Sequence, residues 1–157
     1  MILTDDFLRF CRRTIDGTLA AVDRIGDERI NTRPELDGVS TPYQLVTHSF
    51  AAAEFWCAHI VCGRPSERVR DDEFLATGSV ADLHAAAARL MALLEELAPQ
   101  MATATEVAIH PPQTQTPLDG GWTVGAALIH AYEELAQHLG HLEMTADVLG
   151  APKGEPT

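Results

Sequence analysis

Apolar residues recur at intervals of three and four along four stretches of this chain, separated by polar segments that carry most of its prolines and glycines. In the first stretch Leu8, Cys11, Ile15, Leu19, Val22 and Ile25 share one helical face. Thr4-Asp5-Asp6 supplies a capping residue and two acids for the positive helix end, and Gly26 stops the run. The second stretch opens on Ser40-Thr41-Pro42, with Pro at the first helical position, and carries Leu45, Ser49, Ala52, Trp56 and Ile60 inward as far as Gly63. Ser79 with Asp82 three residues on makes a capping-box start for the third, in which Val80, Leu83, Ala87, Leu90, Leu94 and Leu97 lead to Pro99. Thr123 caps the fourth, which runs through Val124, Leu128, Ala131, Leu135 and Leu142 to Gly150.

This pattern predicts an all-α fold, a single-domain four-helix bundle over 1–157 with helices near 4–25, 42–62, 80–98 and 123–149. The connections 27–40, 64–78 and 100–121 are long for a bundle, so a crossover topology is expected rather than simple up-down-up-down. Weak alternation over Thr103 to Ile109 suggests a short extended piece, and the charged run ERVRDDE reads as a solvated loop with a short turn. One core suits a chain of 157 residues.

Charge narrows the partners. Asp and Glu number 23 against 11 Lys and Arg, a net −12, offset locally at Arg64, Arg68 and Arg70. Such a surface repels phosphate backbones, so nucleic acid is excluded as a partner. No apolar run approaches the roughly 20 residues that span a bilayer, and the acidic start MILTDDFLRF has no signal-peptide pattern, so no membrane partner and a cytoplasmic location are expected. Cys11, Cys57 and Cys62 form an odd set without a C-x-x-C pair, which argues for reduced, structural thiols.

The chemistry concentrates in WTVGAALIHAYEELAQHLGHLEMTADVLG. His130, Glu134, His138 and His141 project within about 80° of one another at roughly 100° per residue, a stripe beside the buried seam of the fourth helix. A Glu134/His138 pair alone is an ordinary hydrogen-bonded helix pair, but two further histidines next to an apolar seam point to a metal. One helix cannot complete the shell. On the second helix His48, Phe55 and His59 line one edge, and His48 and His59 lie about 16 Å apart at 1.5 Å per residue, so only one of them can join Glu134 and His138. Periodicity does not choose between them. His84 and His110 lack partners at useful spacing, and no nucleophile elbow, phosphate-binding glycine loop or dinucleotide fingerprint is present.

His48 with Trp56 eight residues later, the Arg33-Pro34 turn, and HAYEELAQHLGHLEMTADVLG together resemble the DinB/YfiT-like superfamily of small helical metalloproteins, especially an actinobacterial branch whose last helix reads H-x-x-E-E-x-A-x-H-x-G-H. The resemblance implies a metal held by His48, Glu134 and His138, and leaves His59 as a pocket or core residue. It also implies a divalent ion, with zinc as first choice and nickel or iron as others, and a small thiol cosubstrate such as mycothiol, bacillithiol or glutathione. The ten arginines against a single lysine suggest a GC-rich genome, which favours mycothiol. The mycothiol-dependent isomerases of the superfamily carry a further C-terminal domain, whereas this sequence stops at Thr157, so the expectation moves from maleylpyruvate isomerisation to thiol transfer.

The resulting expectation is a metal-dependent S-transferase joining a low-molecular-weight thiol to a small electrophile. His130 and His141 are the candidate catalytic groups, and Phe55, Trp56 and Trp122 the candidate pocket wall that receives the thiol. His141 stands where many relatives have Gln. A homodimer is expected by resemblance only. The alternative is a non-catalytic metal-dependent scaffold that binds a small molecule or serves a stress response, favoured if His130 or His141 closes the metal shell.

Overall fold

The computed structural model describes residues 3–111 and 118–152, so Pro112 and Pro117 of the last connection and the tail beyond Pro152 lie outside the described residues. The described residues are all-helical, with no strand. α1 spans Thr4–Ile25, α2 Pro42–Glu54, α3 Arg70–Glu73, α4 Val80–Thr103 and α5 Val124–Val148. Phe55–Val61 continues α2 as a π-helix.

Caps agree with the sequence at three of four starts. Thr41 and Ser79 each close a capping box, with Gln44 and Asp82, and Thr123 accepts from the Ala126 N–H. At α1 the expectation fails. Thr4 lies buried inside the first turn, and the N-cap is Leu3, which offers no side-chain acceptor. α4 also runs past its expected stop, through Pro99 to Thr103. Pro99 removes one backbone N–H from the ladder, but Leu97 and Met101 on either side are buried, and that packing carries the helix on. The extended piece foreseen over Thr103 to Ile109 is absent, because its backbone serves other partners: Val107 is buried, and the Ile109 N–H donates to the Ile60 carbonyl at 3.1 Å.

Cross-contacts fix the topology. α1 and α5 run parallel, since Phe10 meets Tyr132 and Arg24 meets Asp147. α1 and α4 run antiparallel, since Arg12 pairs with Glu95 and Asp23 with His84. Gln100 reaches the Cys62 carbonyl near the far ends of α4 and α2, while Tyr43 and Asp82 lie together near their starts, so this pair is parallel. α2 and α5 are antiparallel, with His48 by His138 and Trp56 by His130. The order is therefore up-down-down-up with α1 diagonal to α2, the crossover arrangement that long connections allow. At Gly17 a Cβ would come within 3.0 Å of Leu139 Cδ2, so a bare backbone lets α1 approach α5 closely.

The 62–79 connection returns along the bundle. Its far end is tied down where Asn31 bonds both the N–H and the carbonyl of Gly78 and Tyr43 crosses over the glycine, whose absent Cβ would sit 2.4 Å from the Tyr43 hydroxyl. This routing carries α3 over the edge of α2 where His48 lies.

Candidate metal centre

Each of the three ligand candidates is placed by ordinary helix packing. His48 is on the second turn of α2 beside Leu45 and Ala52, which are buried, and its own ring is only 7% exposed. Glu134 and His138 are one turn apart on α5, flanked by buried Ala131, Leu135 and Leu142. Because α2 and α5 pack antiparallel, the two edges meet. One ligand atom from each of His48, Glu134 and His138 falls within 4.8 Å of the others, so this group could hold a metal ion. His48 Nε2 is 3.6 Å and His138 Nε2 3.4 Å from Oε2 of Glu134. The rings of His48 and His138 meet edge to face, with centroids 4.9 Å apart.

Two imidazoles and one carboxylate form a donor set that zinc, nickel and iron(II) all accept, and three protein ligands leave room for a further ligand. Electrostatics agree with a site poised for a cation. The His138 and His48 imidazoles facing it hold the Glu134 carboxyl well below the usual carboxylate range, against the opposing effect of burial. The facing Glu134 carboxylate and the hydrogen bond to Glu73 raise His48 above its ordinary value.

The structure separates the remaining histidines. His130 Nε2 is 3.4 Å from Glu134 Oε1, and its Nδ1 donates to Glu133 at 2.9 Å. Glu134 therefore turns one oxygen to the imidazoles of His48 and His138 and the other to His130. His141 is exposed, with its ring stacked on His138 at a centroid distance of 6.3 Å. His59, equivalent to His48 by periodicity, lies apart from the group and donates from Nδ1 to the Arg64 carbonyl at 2.7 Å. Eleven residues of helix already separate it from His48, and the π-helix turns it further away. Its i→i+5 turns take more residues than α-turns, so positions after Phe55 rotate off the stripe that 100° per residue extrapolates. His84 pairs with Asp23 on the surface, at 2.7 Å.

A cleft of about 570 Å³ opens beside the group, lined by His48, Ala52, Phe55, Trp56, Arg68, Arg70, Asp71, His130 and Glu134. Phe55 and Trp56 are thus wall residues. Trp122 stands behind them, its ring 4.4 Å from that of Trp56 and 5.4 Å from that of His130. All three cysteines are free and buried. Burial pushes the Cys11 thiol up to about 12 and raises those of Cys57 and Cys62, so none is suited to act as a nucleophile.

Sequence reasoning missed Glu73, Arg68 and Phe74. The run ERVRDDE, expected to be solvated, contains Glu73, which is buried against His48 and gripped by Arg68. The only signal was Phe74, an aromatic closing an otherwise charged stretch.

The second and last long helices of this bundle thus bring two imidazoles and a carboxylate to the side of a cleft, in a group that could hold a metal ion. Residues 11–142 match the DinB superfamily, and the chain belongs to it. No curated protein and no solved structure matches the chain. Among the described residues no helix is long and apolar enough to cross a membrane.

Proposed function

We propose that this protein is a divalent-metal-dependent S-transferase that joins a low-molecular-weight thiol, with mycothiol as first choice, to a small electrophile. The observation that carries the reading is the conjunction of a three-ligand group, His48, Glu134 and His138, with a cleft that its own residues help to line. A divalent ion held there, zinc first and nickel or iron(II) next, would supply the Lewis acidity that makes a thiol ionise near neutral pH.

The residues of the chain do the rest. Phe55 and Trp56 offer apolar faces to the carbon skeleton of the reactants, and Trp122 stiffens Trp56 from behind. His130 lines the same cleft and is the group placed to take the thiol proton. The sulfur lone pair forms the new carbon–sulfur bond, the leaving group departs with the electron pair of the bond that breaks, and His130 returns the proton to it. His141 packs on His138 outside the cleft lining and serves to hold that ring. The same reading expects a cytoplasmic location, where such thiols are kept reduced, and a homodimer.

The test offers monochlorobimane with mycothiol, bacillithiol, coenzyme A and glutathione to metal-loaded protein. Conjugation of at least one thiol should exceed that by free metal, survive replacement of Cys11, Cys57 and Cys62, and vanish in His138→Ala. If no thiol reacts faster than with free metal, the protein is a metal-dependent binding scaffold instead.

A further inference from the structure

α3 is a single turn whose surroundings are nearly all solvent. Val69, Arg70, Asp71, Asp72 and Leu75 are exposed, and Glu73 is the one buried residue of the element. An element that only covered the bundle would bury an apolar side chain there. This one buries a carboxylate, aimed at Nδ1 of His48, which donates to Glu73 Oε2 at 2.6 Å. Arg68 fixes the same carboxylate from the other side, donating from Nε to Oε1 at 2.5 Å and from Nη2 to Oε2 at 3.0 Å. Phe74 lays its ring 4.9 Å from that of His48. His48 is therefore held from behind and from the side, with Nε2 turned to Glu134.

We propose that Glu73, anchored by Arg68, is the positioning residue of the metal centre. By accepting the Nδ1–H it fixes the tautomer that leaves the Nε2 lone pair free, sets the ring plane, and makes the imidazole a better donor. A buried ion pair is a poor source of fold stability, so stability alone does not account for a buried, doubly held carboxylate on a one-turn helix. The contrast with His138 is instructive. Its Nδ1 is buried with no hydrogen-bond partner among the described residues, so of the two imidazoles only His48 has a carboxylate behind its Nδ1. Arg68 also lines the cleft, so the residue that anchors Glu73 belongs to the substrate wall as well. The inference rests on His48, Glu134 and His138 binding an ion.

The test measures Zn²⁺ affinity of the full chain by competition with a chromophoric chelator, and the visible spectrum of the Co²⁺ form, for wild type, Glu73→Gln, Glu73→Ala and Arg68→Met. Loss of an orienting carboxylate typically costs about 10–100-fold in metal affinity, and that loss is expected in Glu73→Ala. Glu73→Gln should fall between, because its amide oxygen still accepts the N–H without the charge. Both variants should shift the Co²⁺ ligand-field bands, and Arg68→Met should weaken Zn²⁺ binding less than Glu73→Ala. Circular dichroism of the metal-free proteins checks folding, and if Glu73→Ala does not fold, Glu73→Gln decides. A merely structural Glu73 would lower metal-free stability while leaving affinity and spectrum as in wild type, and that result overturns the proposal. Wild-type protein that binds neither ion would instead remove the metal site itself, a distinguishable failure.

Discussion

His48 and His138 contribute one imidazole each to the candidate site, yet their surroundings predict very different costs of removal in the metal-free protein. The His48 ring is 7% exposed and donates to Glu73, so His48→Ala deletes a charge-assisted hydrogen bond, opens a void between Phe74 and His138, and leaves Glu73 buried with only Arg68. Hydrogen bonds to charged groups contribute about 1.5–3 kcal/mol, and the void adds to that, giving an expected loss of about 2–4 kcal/mol. For a chain of this size each kcal/mol moves the melting midpoint by about 2–4 °C, so the drop should lie between about 4 and 16 °C. His138 is 21% exposed and carries a buried Nδ1 without a partner among the described residues. Removing an unsatisfied group recovers part of what the contact with Glu134 contributed, so His138→Ala should cost less than about 1 kcal/mol. Urea unfolding of both variants in the presence of a chelator measures the difference. With Zn²⁺ at about a thousandfold over its dissociation constant, wild type should gain about 4 kcal/mol, and both variants should lose that gain. Equal destabilisation of the two metal-free variants would refute the assignment of Glu73 and Nδ1, and a full Zn²⁺ response in either would refute the ligand set.

Three further outcomes follow from the same structure. Because burial raises all three thiols, Cys11 to about 12, native protein at pH 8 should leave Cys11 and Cys57 unlabelled by iodoacetamide while unfolded protein labels at every cysteine, as peptide mapping would show. The Asp82 carboxyl is held below its ordinary value by the Ser79 side chain and backbone N–H, so its cap contributes above the unfolded carboxylate pKa near about 4 and is lost as pH falls through the lowered folded value; Asp82→Asn should flatten the acid limb of stability against pH in that window. In the bimane assay His130→Gln should lower the rate constant more than the thiol affinity, whereas His141→Gln, on the outer side of His138, should change either by less than about threefold; the reverse order would exchange the two roles.

Four amphipathic series and their caps were enough to read the bundle, because Thr41, Ser79 and Thr123 each announce a helix start by side-chain chemistry that acts locally. The stripe on α5 was legible for the same reason: spacing of four along a helix is a geometric fact. What lay beyond reach was non-local or irregular. Periodicity assumes 100° per residue, and the π-helical turns after Phe55 break that assumption, which is why His48 and His59 looked equivalent until family resemblance favoured His48. Thr4 was mistaken for a cap because the helix begins one residue earlier than its polar signal suggests. Pro99 was mistaken for a stop because tertiary burial of Leu97 and Met101 outweighs one missing N–H. Glu73 was invisible because its role depends on a connection folding back along the bundle and on Arg68 holding it there, and neither leaves a period in the sequence.

On the proposed function, His48, Glu134 and His138 hold an ion whose remaining position accepts a thiol sulfur. X-ray absorption at the zinc edge, recorded on Zn²⁺-loaded protein before and after addition of mycothiol, tests it most directly. The expected spectrum has a first shell of nitrogen and oxygen at about 2.0–2.2 Å with imidazole scattering from two rings, to which a sulfur at about 2.3 Å is added when the thiol is present. A shell containing three or four imidazoles, or one that remains free of sulfur at saturating concentrations of every thiol tried, would contradict it.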